Sequence, residues 1–243
     1  MKLLRVENVV KKFGGLRAVD GVSLELDKGE FLAVVGPNGS GKTTLLNLIN
    51  GVYFPDQGRI IYEGVDITKT PPHKRAKMGM ARAFQVPRPF PDLTALENVA
   101  TGAVFNGGYD LNKARDVAEE ALSYVGLLEK KDQLASKLTF NELRLLELAR
   151  ALAGRPKLLL LDEVMAGLTP SEIDRLASLI KKISEERGIS AISLVEHRMR
   201  AVARLAHRVV VMHQGKVISE GPPEVALNDP KVVEVYLGRP WHL

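Results

Sequence analysis

The chain contains no cysteine among its 243 residues. Disulfides, thiolate metal sites and a cysteine nucleophile are therefore excluded, and the composition suits a reducing compartment. Long apolar runs are missing as well. Uninterrupted apolar stretches, such as the four leucines at 158–161, fall far short of the roughly 18 residues of a membrane-spanning helix. Arg5 and Glu7 interrupt the first apolar residues, which predicts no export signal. We do not expect this chain to cross a bilayer unaided.

What remains is the composition of an ordinary globular protein, with 45% hydrophobic and 26% charged residues. This length suits one large domain or two small lobes. The net charge of +5 favours anionic partners such as phosphates, nucleic acid or lipid head groups, without choosing among them. The densest basic cluster, at 73–77, is short and has no interleaved aromatic residues, so we interpret it as a solvated helix face and expect no nucleic-acid partner.

Alternating strands and helices predict an α/β fold. Six apolar segments are predicted to be strands, at residues 3–10, 22–26, 31–35, 157–161, 189–195 and 208–212. Apolar residues at helical spacing predict helices over 112–125, over 141–153 and from Ile173 to a stop at Gly188. Because strands alternate with helices, we expect a mainly parallel sheet that ends in a hairpin at 209–219.

The chain is predicted to form two structural parts. Residues 1–86 and 154–243 form a nucleotide-binding α/β core with an N-terminal antiparallel β part. Residues 87–153 form a mostly helical block, which we interpret as a subdomain inserted into that core.

Residues 36–43 read Gly-Pro-Asn-Gly-Ser-Gly-Lys-Thr and match the pattern G-x-x-x-x-G-K-[ST] between a predicted strand and a helical run. The glycines let backbone N–H groups turn toward one point, where the following helix adds its positive N-terminal end. Lys42 would reach the outer phosphates, and the Thr43 hydroxyl would bind Mg²⁺. The alternative is a glycine-rich turn that merely links strand to helix, which the context disfavours. The predicted triphosphate loop comprises Gly36, Pro37, Asn38, Gly39, Ser40, Gly41, Lys42, Thr43 and Thr44.

Two carboxylates, Asp162 and Glu163, end a later apolar strand. In a parallel sheet ligands bind beyond the carboxyl ends of the strands, so Asp162 is expected beside the phosphate loop, holding Mg²⁺ directly or through water. Glu163 is then the candidate to orient and deprotonate the attacking water. Alone, the pair would be read as a solvated acidic turn; together with the loop it predicts a P-loop NTPase.

Further motifs extend this interpretation. They are Ala81-Arg82-Ala83-Phe84-Gln85, Leu93-Thr94-Ala95-Leu96-Glu97-Asn98-Val99, Met165-Ala166-Gly167-Leu168, Val195-Glu196-His197 and Val235-Tyr236-Leu237-Gly238. With the phosphate loop, the chain from Leu3 to about Gly238 resembles the ATPase subunit of an ABC transporter. Within that superfamily it resembles the branched-chain amino-acid uptake branch.

This resemblance implies an ATP-hydrolysing subunit that powers a membrane transporter, with ATP and Mg²⁺ as cofactors. It also implies transmembrane permease subunits as partners, and a second ATPase subunit, in a homo- or heterodimer, in the ATP state. We expect no covalent membrane anchor and a cytoplasmic location on the inner face of the cell membrane. Branched-chain amino acids, other amino acids, urea and short amides all remain open as cargo.

The resemblance assigns three further residues. Gln85 matches the glutamine that contacts Mg²⁺ or the attacking water, and His197 matches the histidine that senses the γ-phosphate. Phe13 matches the aromatic residue that stacks on adenine. Without the resemblance, Gln85 would be a surface side chain, His197 a hydrogen-bonded neighbour of a strand end and Phe13 an ordinary apolar residue.

The signature segment departs from the family pattern. Thr139 keeps the hydroxyl expected there, but Asn141 replaces the signature glycine, and Thr169 stands where the family carries Asp or Asn. In the family this segment faces the nucleotide held by the other subunit, so Thr139 and Asn141 are candidate nucleotide contacts. Asn141 adds a side chain where backbone must approach phosphate closely. We therefore predict slow turnover for the isolated chain.

Two alternatives stay open, and a third is disfavoured. The first is a nucleotide-binding module with impaired turnover that acts as the regulatory half of a heterodimer. The second is the ATPase of a related lipid or lipopolysaccharide exporter. A soluble ABC ATPase working on DNA or ribosomes would usually need a long coiled coil or tandem cassettes, which this sequence lacks.

Overall fold

A computed structural model describes residues 1–84, 86–162, 164–165, 168–195 and 206–237. The strands are β1 (Lys2–Phe13), β2 (Leu16–Asp27), β3 (Phe31–Val35), β4 (Gln57–Tyr62), β5 (Val65–Asp66), β6 (Met80–Ala83), β7 (Leu158–Asp162), β8 (Ser190–Val195), β9 (Arg208–His213) and β10 (Lys216–Gly221). The helices are α1 (Lys42–Asn50), α2 (Pro72–Lys77), α3 (Ala95–Phe105), α4 (Leu111–Tyr124), α5 (Phe140–Ala153), α6 (Pro170–Arg187), α7 (Pro223–Ala226) and α8 (Pro230–Leu237). Short 3₁₀ turns occupy Leu128–Lys130 and Ala135–Lys137.

The larger sheet has the strand order β10-β9-β3-β8-β7-β6. Its neighbouring strands run parallel except for the antiparallel pair β9 and β10, so the predicted parallel sheet with a terminal hairpin is confirmed. Strand β6 was not predicted; it has only four residues and contains Arg82 in an otherwise apolar run. Such a segment is too short to show a period of its own.

The smaller sheet is antiparallel, with the order β2-β1-β4-β5. Strands β1 and β2 are each 12 residues long and pair along almost their whole length, so they extend beyond the apolar segments that predicted them. Alternate residues of β2, namely Val22, Leu24 and Leu26, are buried, as expected of a strand with one solvated face. Those side chains belong to the same core as α1 and one face of the larger sheet.

The three predicted helices appear as α4, α5 and α6, each within a few residues of the predicted bounds. Apolar side chains of this helical region, such as Val99, Val117 and Leu148, share one buried cluster with Leu159 and Leu161 of β7. The helices are therefore packed on the second face of the larger sheet. Among the described residues, no helix is long and apolar enough to cross a membrane.

The basic cluster at 73–77 is only partly a solvated helix face. His73, Lys74 and Lys77 are exposed, but Arg75 is completely buried. Its guanidinium donates to the carbonyl oxygens of Leu48, Ile49, Ile67, Thr68 and Thr70 at 2.6–3.3 Å. The interpretation of Arg75 as solvated was wrong, because the carbonyl groups at the end of α1 need donors that the helix cannot supply. Burial lowers the pKa of Arg75 to about 10.

Candidate nucleotide-binding site

The phosphate loop connects β3 to α1 and lies against β2 and β9. At Gly41, where φ is 102°, a Cβ atom would lie 2.3 Å from the carbonyl oxygen of Ala18 on β2. At Gly36, a Cβ atom would lie 2.3 Å from the carbonyl oxygen of Met212 on β9. The Gly215 N–H, in the β9–β10 turn, donates to the Ser40 carbonyl at 2.9 Å. Glycine is thus needed where the loop backbone contacts its neighbours.

Lys42 begins α1, and its side chain is buried above the loop. The ammonium group donates to the Gly36 carbonyl at 2.8 Å and to the Pro37 carbonyl at 3.0 Å. The Ser40 hydroxyl is buried, and the described part of the chain offers it no hydrogen-bond partner. A buried hydroxyl beside an ammonium group and the N-terminus of a helix is the arrangement that an anion satisfies.

The loop opens into a cleft of about 700 Å³. The residues lining it are Phe13, Leu16, Arg17, Ala18, Gly39, Gly41, Lys42, Thr43, Thr44 and Gln214. The structure therefore brings Phe13 and the phosphate loop together. The Phe13 ring is 43% exposed and contacts the edge of Tyr53, with centroids 5.2 Å apart. Arg17 and Gln214 were missed, because neither belongs to a motif.

Asp162 lies at the same edge of the sheet as the loop. Strand β8 separates β3 from β7, and the three parallel strands end level, with Val35 opposite Val195 and Asp162 opposite Leu194. Asp162 is 7% exposed, and its Oδ2 accepts a hydrogen bond from Arg82 Nη2 at 2.5 Å. Arg82 belongs to the motif at 81–85, and that motif does not predict its contact with Asp162.

The residues present fit a magnesium ion bound together with a phosphate. Thr43 and Asp162 offer a hydroxyl and a carboxylate, the oxygen ligands that Mg²⁺ prefers. Within the described ranges, no three His, Cys, Asp or Glu side chains are grouped to hold a metal by themselves. A metal here would complete its coordination with phosphate and water oxygens, as Mg²⁺ usually does. Gln85, Glu163 and His197 lie outside the described residues.

Thr139 and Asn141 are at the start of α5. Thr139 caps that helix, and its backbone N–H donates to Glu142 at 2.9 Å. The amide of Asn141 donates to Oε1 of Glu172 at 2.7 Å, whereas Oε2 of Glu172 accepts from the backbone N–H and the hydroxyl of Thr169. The hydrogen bond from the Thr169 backbone, followed by that from its hydroxyl, lowers the pKa of Glu172. Asn141 therefore connects the start of α5 to the start of α6.

A mainly parallel sheet with a glycine-rich loop between strand and helix, and a carboxylate two strands away, defines a P-loop nucleotide-binding protein. Residues 19–166 match the family described as ABC transporter, and residues 216–242 match the family described as branched-chain amino acid ATP-binding cassette transporter. The chain belongs to the ABC transporter family and is an ATP hydrolase of that type. The resemblance inferred from the motifs is confirmed.

Relatives and solved structures agree with this assignment. The probable branched-chain amino acid transport ATP-binding protein LivG of Archaeoglobus fulgidus is 40% identical, over 98% of this chain and 96% of the relative. The ADP conformation of an ATP-binding cassette of an ABC transporter is 35% identical, with a TM-score of 0.89 over 98% of this chain and all of that one. A dimeric ATP-binding cassette in a post-hydrolysis state, bound to ADP and Pi, is 27% identical. The two structures match with a TM-score of 0.81 over 90% of this chain and 98% of the other.

Proposed function

We propose that the chain binds and hydrolyses Mg·ATP to power an importer of branched-chain or other amino acids. The observation that carries this proposal is that the phosphate loop lines one cleft with Phe13 and lies at the same edge of the larger sheet as Asp162. The choice of cargo is supported by the name of the Archaeoglobus relative and by the match of residues 216–242. The division into a core of 1–86 and 154–243 and an inserted subdomain of 87–153 belongs to the same proposal.

In the proposed complex, Phe13 stacks on the adenine and the loop amides bind the phosphates. The Lys42 ammonium, which now donates to the Gly36 and Pro37 carbonyls, exchanges those acceptors for phosphate oxygens. Because a phosphate oxygen is charged and a carbonyl is not, this exchange strengthens the hydrogen bonds of Lys42. In this proposal Lys42 exchanges its two described carbonyl acceptors when the nucleotide binds.

Thr43, Asp162 and Gln85 are proposed to hold Mg²⁺, which when bound neutralises charge on the phosphate oxygens. Glu163 would take the proton of the attacking water, and His197 would contact the γ-phosphate. These roles for Gln85, Glu163 and His197 rest on the family pattern alone.

Nucleotide binding is the first test. Titration calorimetry with Mg·ATP should detect binding to the full chain, and Lys42→Ala should weaken it at least tenfold, because an interaction with charged phosphate is lost. Lys74→Ala, which removes an exposed lysine of α2, is the matched control and should bind as the unsubstituted chain does. Equal binding by Lys42→Ala and Lys74→Ala would contradict the assignment of the loop.

Transmembrane permease subunits are the proposed partners, together with a second ATPase subunit at the cytoplasmic face of the membrane. The chain should co-purify with a multispanning membrane subunit expressed from a neighbouring gene. Reconstituted with that subunit in vesicles, it should drive ATP-dependent uptake of leucine or isoleucine. Stimulation by a lipid, without amino-acid uptake, would instead support an exporter.

One observation favours a second candidate, the regulatory half of a heterodimer. Asn141 occupies the position of the signature glycine and is held by Glu172 of its own chain. A side chain engaged in this way offers nothing to a nucleotide on a partner, so a homodimer would contain two weak sites. Mixing this chain with a second ATPase subunit of the same transporter should then raise hydrolysis above the sum of the two alone.

A further inference from the structure

The side chain of Arg82 links three elements of the site. It lies on β6, which pairs in parallel with β7, and its Nη2 donates to Oδ2 of Asp162 at 2.5 Å. Its Nη1 donates to Oδ1 of Asn47 on α1 at 2.7 Å. The side chains of Arg82 and Asp162 are only 7% and 10% exposed. One guanidinium thus bridges the carboxylate at the end of β7 and the helix that follows the phosphate loop.

Asn47, the second acceptor of Arg82, lies on the same helix as Thr43. Asn47 follows Thr43 by four residues, so the two side chains lie on the same face of the helix, one turn apart. Arg82 therefore connects Asp162 to the helix face that carries Thr43. Thr43 and Asp162 are the two described residues proposed to hold Mg²⁺.

Burial makes the bridge rigid and hard to replace. A carboxylate that is removed from water needs a paired charge. Removal of one partner of a buried ion pair strongly destabilises the folded protein, because the other charge stays buried without compensation. The planar guanidinium also serves two acceptors at a fixed angle, which a lysine ammonium cannot do with the same geometry. Oδ2 of Asp162 accepts from Arg82, and no hydrogen bond to Oδ1 is found among the described residues, which favours Oδ1 as the oxygen that faces a metal. The guanidinium therefore contacts both the carboxylate of Asp162 and the side chain of Asn47 on α1.

We propose that Arg82 is a positioning residue that holds Asp162 and α1 at the spacing at which Asp162 and Thr43 bind one Mg²⁺. The proposal rests on the proposed function, in which those two residues hold the metal. Arg82 touches neither nucleotide nor metal in this role. Groups that orient metal ligands in this way typically change metal affinity by about 10- to 100-fold when they are replaced.

The test separates metal binding from nucleotide binding. A fluorescent ADP analogue is titrated into the full chain at a series of Mg²⁺ concentrations and, separately, in EDTA. For Arg82→Lys and Arg82→Gln, the Mg²⁺ concentration that gives half-maximal enhancement of binding should rise by about tenfold. Binding in EDTA should stay within twofold, because the loop and Phe13 are unchanged. Arg59→Gln, at an exposed arginine of β4, is the matched control and should show no shift.

Asn47→Ala keeps the ion pair between Arg82 and Asp162 and removes only the hydrogen bond from Arg82 to α1. If the Arg82 variants do not fold, this variant tests the positioning role. It should shift the Mg²⁺ requirement in the same direction by a smaller factor. An unchanged Mg²⁺ requirement in the folded variants, or a tighter one, would overturn the positioning role. Equal losses with Mg²⁺ and with EDTA would also overturn it, since they indicate general damage to the fold. Failure of the unsubstituted chain to bind more nucleotide with Mg²⁺ would instead refute the proposed function.

Discussion

Arg75→Met is expected to be among the most destabilising single substitutions in this chain. The five carbonyl oxygens that accept from Arg75 come from the end of α1 and from the segment between β5 and α2. Arg75 thus joins two segments that are separate in the chain. The methionine has a similar length and apolar stem, so the substitution removes the donors with little change in volume.

The loss of unfolding free energy in Arg75→Met depends on how many of the five carbonyl oxygens still accept a hydrogen bond from another donor. Leu48 also accepts from the Gly51 N–H at 3.1 Å, and Ile67 also accepts from the Thr70 N–H at 2.9 Å. Ile49, Thr68 and Thr70 have no second donor among the described contacts. Each buried acceptor left unsatisfied costs about 1–3 kcal/mol. Since the guanidinium charge no longer has to be buried, we expect a net loss of about 3–5 kcal/mol.

Urea unfolding followed by circular dichroism measures this loss. Lys74→Met, one residue earlier and exposed, is the matched control and should change the unfolding free energy by less than about 0.5 kcal/mol. A loss of less than about 1 kcal/mol for Arg75→Met would refute the reasoning, because it would mean that water satisfies the carbonyls as well as the guanidinium does.

Three further outcomes are expected. Asn141→Gly should raise steady-state phosphate release by the isolated chain several-fold, because it frees the start of α5 for a partner's phosphate; no gain would contradict the inference from Asn141. Phe13→Ala should weaken ATP binding about tenfold in a calorimetric titration, whereas Phe13→Tyr should retain it, since either ring stacks on a base. The pKa of Glu142 is lowered below its ordinary 4.5, mainly by the hydrogen bond from Lys130 and next by the one from the Thr139 backbone. The ionised form of Glu142 therefore stabilises the fold at neutral pH. The difference in thermal midpoint between the unsubstituted chain and Glu142→Gln should therefore shrink as the pH falls below 4.5; a constant difference would argue against the ion pair.

Much of the fold could be predicted because its signals are local. The motif of the phosphate loop is eight consecutive residues, 36–43, and the strand before it and the helix after it show apolar patterns of their own. The helices α4 and α6 show a period that needs no partner to be recognised. Parallel topology then followed from the alternation of strands and helices, and it placed Asp162 at the edge where the loop lies.

Parts of the site could not be predicted, because they depend on pairs that are distant in the chain. Arg82 and Asp162 are 80 residues apart, and Asn141 and Glu172 are 31 residues apart. In the sequence, Asn141 is only an exception to a pattern; in the fold its amide is a hydrogen-bond donor to a second helix. The roles of Gln85, Glu163 and His197 stay predictions from the family pattern.

The sequence by itself determined that this chain has a triphosphate loop, an α/β fold and membership of the ABC transporter family, since each of these is written in contiguous residues. Only the tertiary structure decided that Arg75 is buried, that Arg82 holds Asp162, and that Asn141 joins α5 to α6. The physical reason is that a charged or polar side chain prefers water unless the folded chain offers it hydrogen-bond or charge partners. Its place depends on whether folding brings it a partner that repays the loss of hydration.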